Sequence, residues 1–193
     1  MKQHIFVVFP LANDVCSKDN VWSDIGPNAK CRIDDLVFWT QNAEFRKVIV
    51  FAAGTDRSHD DGLTLAQLGA RYFFFEHRHC DFEWIVNHDQ SDVYGTDPEI
   101  FWGVTAVLAK FPSEQFSHTF FFGTQARHLP RVKKIVNKRF PNLHTEFITT
   151  GQTKEIPRWR EAVSSIKLML GDGWLGGRVQ QLRRRFSDRF DRA

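Results

Sequence analysis

The chain has 193 residues, 42% of them hydrophobic and 25% charged, which is the composition of an ordinary soluble globular protein with room for a core. Its net charge of +3 is too small to demand a nucleic-acid partner, and its three cysteines have unrelated spacings that make no disulfide framework. The short apolar run near the N-terminus is followed by no cleavage site, and no stretch reaches the ~20 apolar residues of a membrane helix. We therefore expect a cytoplasmic protein.

Apolar runs of strand length alternate with segments of helical period along the chain. The runs predict strands at 5–9, 47–52, 82–87, 119–123 and 144–149. The periodic segments predict helices at about 29–42, 63–72, 97–111, 129–140 and 159–169, and the polar stretch 10–29 predicts a long irregular loop or lid. Strands that alternate with helices form parallel sheets. We expect a three-layer α/β/α Rossmann-like domain over 1–172 with a mostly parallel, five-stranded sheet.

The most informative segment runs from Phe120 to Arg131. Its continuous apolar run predicts a buried parallel strand, and Pro130 suits the first turn of the helix that follows. His128 and Arg131 then share one face of that turn, at the carboxyl edge where open α/β sheets bind ligands and where a helix dipole favours anions. A guanidinium beside an imidazole suits phosphate, sulfate or carboxylate, although two solvated side chains would show the same spacing.

Two further segments carry candidate site residues. Asp97 is expected to be the N-cap of the third helix, with Glu99 in its first turn, and plain capping would also explain Asp97. Gly54 and Thr55 follow the second strand and would form either a backbone nest for an anion or an ordinary tight turn. The sequence contains no GxGxxG, no P-loop and no GxSxG motif.

The order of these pieces resembles the YdcF-like family (domain of unknown function family 218, with SanA-like and ElyC-like members) over about residues 4–170. The matching elements are Arg32 at the first helix, the strand and turn 47–54, the segment 91–100 with Glu99, and Thr124-Gln125-Ala126-Arg127-His128-Leu129-Pro130-Arg131. The resemblance implies a Rossmann-like domain that binds a nucleotide-like small molecule such as S-adenosylmethionine, or a role in envelope biogenesis. It implies no agreed reaction.

The site hypothesis combines these residues. Arg32 and Arg131 would clamp an anion, His128 would be a donor or proton carrier, and Glu99 would be a base or hydroxyl acceptor. The remaining predicted ligand-binding residues are Gly54, Thr55, Asp97, Thr124 and Gln125. A ligand held in this way would suit a transferase or a hydrolase.

Two other functions are open from the sequence. The Arg-rich tail 173–193 has helical spacing and predicts either a helix packed on the domain or contact with an acidic partner or membrane surface. A metal-dependent hydrolase would need ligands such as His77, His79 and Cys80. These residue types suit a metal, but the sequence has no second group of ligand residues at the spacing of a metal site.

Overall fold

Strands and helices alternate along the part of the chain that the computed structural model describes, residues 2–11, 15–18, 21–53, 63–88, 93 and 95–150, with the backbone alone at 15–18 and 21–23. The elements in chain order are β1 Gln3–Pro10, β2 Val15–Lys18, β3 Val21–Ile25, α1 Pro27–Thr40, β4 Arg46–Phe51, α2 Leu65–His77, β5 Glu83–Val86, α3 Thr96–Lys110, β6 Phe116–Thr124, α4 Leu129–Arg139 and β7 Thr145–Thr149. Five of these strands form an all-parallel sheet in the order β5-β4-β1-β6-β7. The predicted α/β Rossmann-like fold is confirmed.

Successive residues of the central strands point to opposite helix layers. Val8 packs in one cluster with α1 and α2, whereas the next residue, Phe9, lies against Gly103 of α3. On β6, a Cβ built at Gly123 would be 2.7 Å from Leu36 Cδ1 of α1, so the glycine allows that helix to approach the strand closely. Alternation along a strand therefore places α1 and α2 on one face of the sheet and α3 on the other.

The predicted irregular loop at 10–29 is wrong in part. The backbone forms an antiparallel pair between β2 and β3, and α1 begins at Pro27 rather than near residue 29. Each strand of the pair is only four or five residues long, and polar residues surround them, so neither gives a strong alternating signal. The predicted last helix, 159–169, and the tail, 173–193, lie outside the described residues.

The start of α3 also differs from the prediction. The N-cap is Gly95, with φ at +95°, and Asp97 lies inside the first turn instead of capping it. A positive φ is readily adopted by glycine, so the chain turns into the helix two residues earlier than a side-chain cap at Asp97 would require. This shift also places Thr96 inside the helix, where it becomes part of the site.

Candidate functional site

Buried polar side chains gather at the carboxyl edge of the sheet. Some lie at or just after strand ends, and others lie early in the helices that begin there. Among them are Arg32, Asn87, Thr96, Asp97, Glu99, Thr124, Gln125 and Thr150. Burying polar groups is costly unless they are hydrogen-bonded, so their concentration at one edge makes that edge the candidate site. Open α/β sheets bind ligands at this edge.

Arg32 reaches this edge from α1. Its side chain is only 4% exposed, and Nη1 donates a hydrogen bond of 2.7 Å to the carbonyl oxygen of Leu11. The backbone N–H of Leu11 in turn donates to the carbonyl oxygen of Gly123, at 3.0 Å. These two bonds hold the guanidinium near the carboxyl ends of β1 and β6. The placement agrees with the predicted anion-clamp role and does not by itself test it.

The starts of α3 and α4 meet through Thr96 and His128. The Thr96 Oγ1 and His128 Nε2 atoms are 3.0 Å apart. If the hydroxyl donates, the imidazole proton lies on Nδ1, and if the imidazole donates, Nδ1 is the acceptor nitrogen. Glu99, 4% exposed, lies three residues after Thr96 and so on the same helix face. The two predicted catalytic residues are thus on neighbouring helix starts.

At the start of α4, backbone N–H groups donate to nearby backbone carbonyl oxygens. The N–H groups of His128 and Leu129 donate to the carbonyl oxygen of Gln125, at 2.9 and 3.0 Å, and those of Arg131 and Val132 donate to the carbonyl oxygen of His128. Pro130 has no N–H. These four N–H groups are therefore not open to an anion, whereas the helix dipole still favours negative charge at this end of α4.

The two helix starts carry opposite charges. The first turn of α3 contains Asp97 and Glu99, whereas that of α4 contains no acidic residue and carries Arg131, which is half-buried. An anion is therefore favoured at α4 and disfavoured at α3. The site has an acidic half and a basic half.

Asp97 has a structural partner. Its two carboxylate oxygens accept from Nε and Nη2 of Arg139, at 3.0 and 2.9 Å, which is a bidentate pair. This pair ties the first turn of α3 to the last residue of α4. The predicted ligand-binding role of Asp97 stays a prediction, and so do those of Gly54 and Thr55, which lie outside the described residues.

The last strands end in two buried threonines. Thr124 closes β6 and Thr150 follows β7, and the backbone N–H of Thr150 donates to the carbonyl oxygen of Thr124 at 3.1 Å. Thr124 was a predicted site residue, as was the adjacent Gln125, which is also buried. Thr96 and Thr150 were missed. A hydroxyl three residues before Glu99 could have indicated Thr96, whereas nothing local distinguishes Thr150 from its neighbour Thr149.

The described residues do not provide a set of ligands for the metal-dependent hydrolase considered above. His77 Nε2 lies 2.7 Å from Asp34 Oδ1, and the same carboxylate accepts from the Tyr72 hydroxyl, so this histidine belongs to the seam between α1 and α2. Within the described ranges, no group of three or more His, Cys, Asp or Glu side chains could hold a metal ion. In the same ranges no helix is long and apolar enough to cross a bilayer.

Neither protein-family models nor curated proteins nor solved structures give a match to this chain. The resemblance to the YdcF-like family therefore stays a prediction, and the function has to be argued from the site.

Proposed function

We propose that this chain is a cytoplasmic protein that binds an anionic, nucleotide-like small molecule at the carboxyl edge of its sheet. The observation that carries the proposal is the gathering of buried polar side chains there, with Arg32 arriving from α1 and His128 and Arg131 from α4. The absence of acidic residues from the first turn of α4 makes that helix start the favourable end for negative charge.

The acidic half of the site suits proton transfer. Glu99 is buried and lies on the same face of α3 as Thr96, and the Thr96 hydroxyl contacts His128. A carboxylate and an imidazole therefore lie at the starts of two neighbouring helices. A ligand hydroxyl held between them would have a proton acceptor on one side and a proton carrier on the other. Transfer of a group from the ligand, or its hydrolysis, is the chemistry that this pair supports best.

The test is anion binding by the full chain, measured by isothermal titration with inorganic phosphate and adenosine 5′-monophosphate. Arg131→Ala should weaken both affinities at least tenfold, a change of about 1.4 kcal/mol in binding free energy. Lys134→Ala is the matched control, because it removes the same charge from an exposed position of α4 and should change affinity less than twofold. Equal effects of the two variants, or no anion binding by the wild type, would reject the proposal.

A further inference from the structure

Two buried threonine hydroxyls lie at the carboxyl edge of the sheet. Thr124 is 1% exposed and Thr150 is 2% exposed, and neither Oγ1 atom has a hydrogen-bond partner among the residues that the structure describes. Buried polar atoms in folded proteins nearly always have a partner, and those without one call for an explanation. Valine has the same shape, favours strands equally and would avoid the cost of burying a hydroxyl.

The place of Thr124 in the strand indicates where its hydroxyl points. Gly123 faces Leu36 of α1, so the next residue faces the opposite layer, where Phe122 and Phe147 stack with ring centroids 5.8 Å apart. That layer contains α3 and the start of α4. The Thr124 hydroxyl therefore lies on the side of the sheet from which His128 and Arg131 approach.

The donors available at this edge select one kind of anion. The N–H groups of His128, Leu129, Arg131 and Val132 are engaged with the carbonyl oxygens of Gln125 and His128, so at these positions a ligand would meet side-chain donors. A threonine hydroxyl donates one hydrogen bond, and a guanidinium donates several. A carboxylate offers two oxygens in one plane, whereas a phosphate monoester offers three terminal oxygens directed tetrahedrally, which suits donors that arrive from two strand ends and from a helix.

We infer that Thr124 and Thr150 donate hydrogen bonds to the terminal oxygens of a phosphate group on the ligand. This inference rests on the proposed function, because it names the anionic group that the same site takes. It also makes the two threonines determinants of specificity that favour a phosphate over a carboxylate.

The experiment compares Thr124→Val, Thr150→Val and the corresponding serine variants in the full chain. Each valine variant should weaken binding of inorganic phosphate and of adenosine 5′-monophosphate about tenfold, and serine should restore it to within about threefold. Without ligand, each valine variant should melt at the same temperature as the wild type or higher, because a buried hydroxyl with no protein partner is removed. Acetate and S-adenosylmethionine, which carry carboxylates, should bind more weakly than adenosine 5′-monophosphate.

The outcomes separate this inference from the proposal beneath it. Valine variants that bind phosphate as well as the wild type, while Arg131→Ala does not, would overturn the threonine assignment and leave the anion site intact. Valine variants that lose stability along with affinity would assign the hydroxyls to the fold and likewise overturn the inference. Tighter binding of the carboxylates than of the phosphates would reject the ligand class, and a wild type that binds no anion would reject both proposals.

Discussion

Strand β6 contains two buried threonines whose hydroxyl groups differ in their hydrogen-bond partners. Near its amino end, Thr119 Oγ1 lies 3.1 Å from Nε2 of His4 and 2.8 Å from Nδ1 of His144, so its hydroxyl is bridged by two imidazoles. At its carboxyl end, Thr124 has no such partner among the described residues. One residue type thus serves the fold at one edge of the sheet and, in our proposal, the ligand at the other.

Charged groups near the amino edge also have partners within the protein, as Thr119 does. Arg46 donates to Glu83, and this hydrogen bond holds the pKa of that carboxyl below its usual range, with Lys110 adding a second ion pair at 3.2 Å. These residues begin two neighbouring strands and end α3. These charged groups are paired with one another, which indicates that they stabilise the fold.

The largest effect on stability is expected from Asp97→Ala, which removes both bonds to Arg139. Loss of a bidentate, charge-assisted pair should lower the free energy of unfolding by about 2 kcal/mol, measured by urea denaturation. Phosphate binding should remain, because the substitution removes negative charge from the helix start next to the anion site. Glu146→Ala is the control, since this carboxylate is exposed on β7. Loss of phosphate binding in the folded Asp97→Ala variant would instead assign Asp97 to the ligand.

Thr119→Val should have the next largest effect. It deprives His4 and His144 of their shared partner, and both rings are partly accessible to water, so the free energy of unfolding should fall by about 1–1.5 kcal/mol. Thr119→Ser should recover most of the loss. An unchanged unfolding curve for the valine variant would show that the bridge does not stabilise the fold, and the contrast between the two edges would fail.

The smallest expected effect is the dependence of folding stability on pH. Burial is the main cause that lowers the pKa of His118 on β6, so the unfolded chain binds a proton there more readily than the folded one. Stability should therefore be full above the unfolded pKa of ~6.5 and should decline as the pH falls below it. Urea denaturation of wild type and His118→Phe between pH 7.5 and 5 measures this effect, with His79→Gln, an exposed site, as control. A decline as steep in His118→Phe as in the wild type would contradict the assignment.

The fold was predictable because its central strands are buried on both faces. Runs such as Phe120–Phe122 and Val48–Val50 contain no polar residue, and such runs indicate a parallel sheet. The pair of β2 and β3 was missed because strands that short, with polar residues around them, have no distinctive period. The start of α3 was misplaced because it depends on the positive φ of Gly95. A glycine permits this angle, but its presence in a sequence does not show that the angle is adopted.

The candidate site was predictable only where residues carry charge next to a strand end, as His128 and Arg131 do. The hydroxyls of Thr96 and Thr150 gave no comparable signal, because threonine is common in strands and helix starts for structural reasons. Whether a threonine is bridged, as Thr119 is, or left facing the site, as Thr124 is, depends on residues more than twenty positions away in sequence. Local patterns do not contain that information.

The central claim is that the carboxyl edge is built for a phosphate-bearing ligand and the amino edge for stability. Urea denaturation of Thr119→Val and Thr124→Val, each with and without saturating inorganic phosphate, tests it most directly. The account predicts that Thr119→Val is destabilised and still gains stability from phosphate, whereas Thr124→Val is at least as stable as the wild type and gains little. Equal destabilisation of both variants, with phosphate protecting both alike, would contradict it.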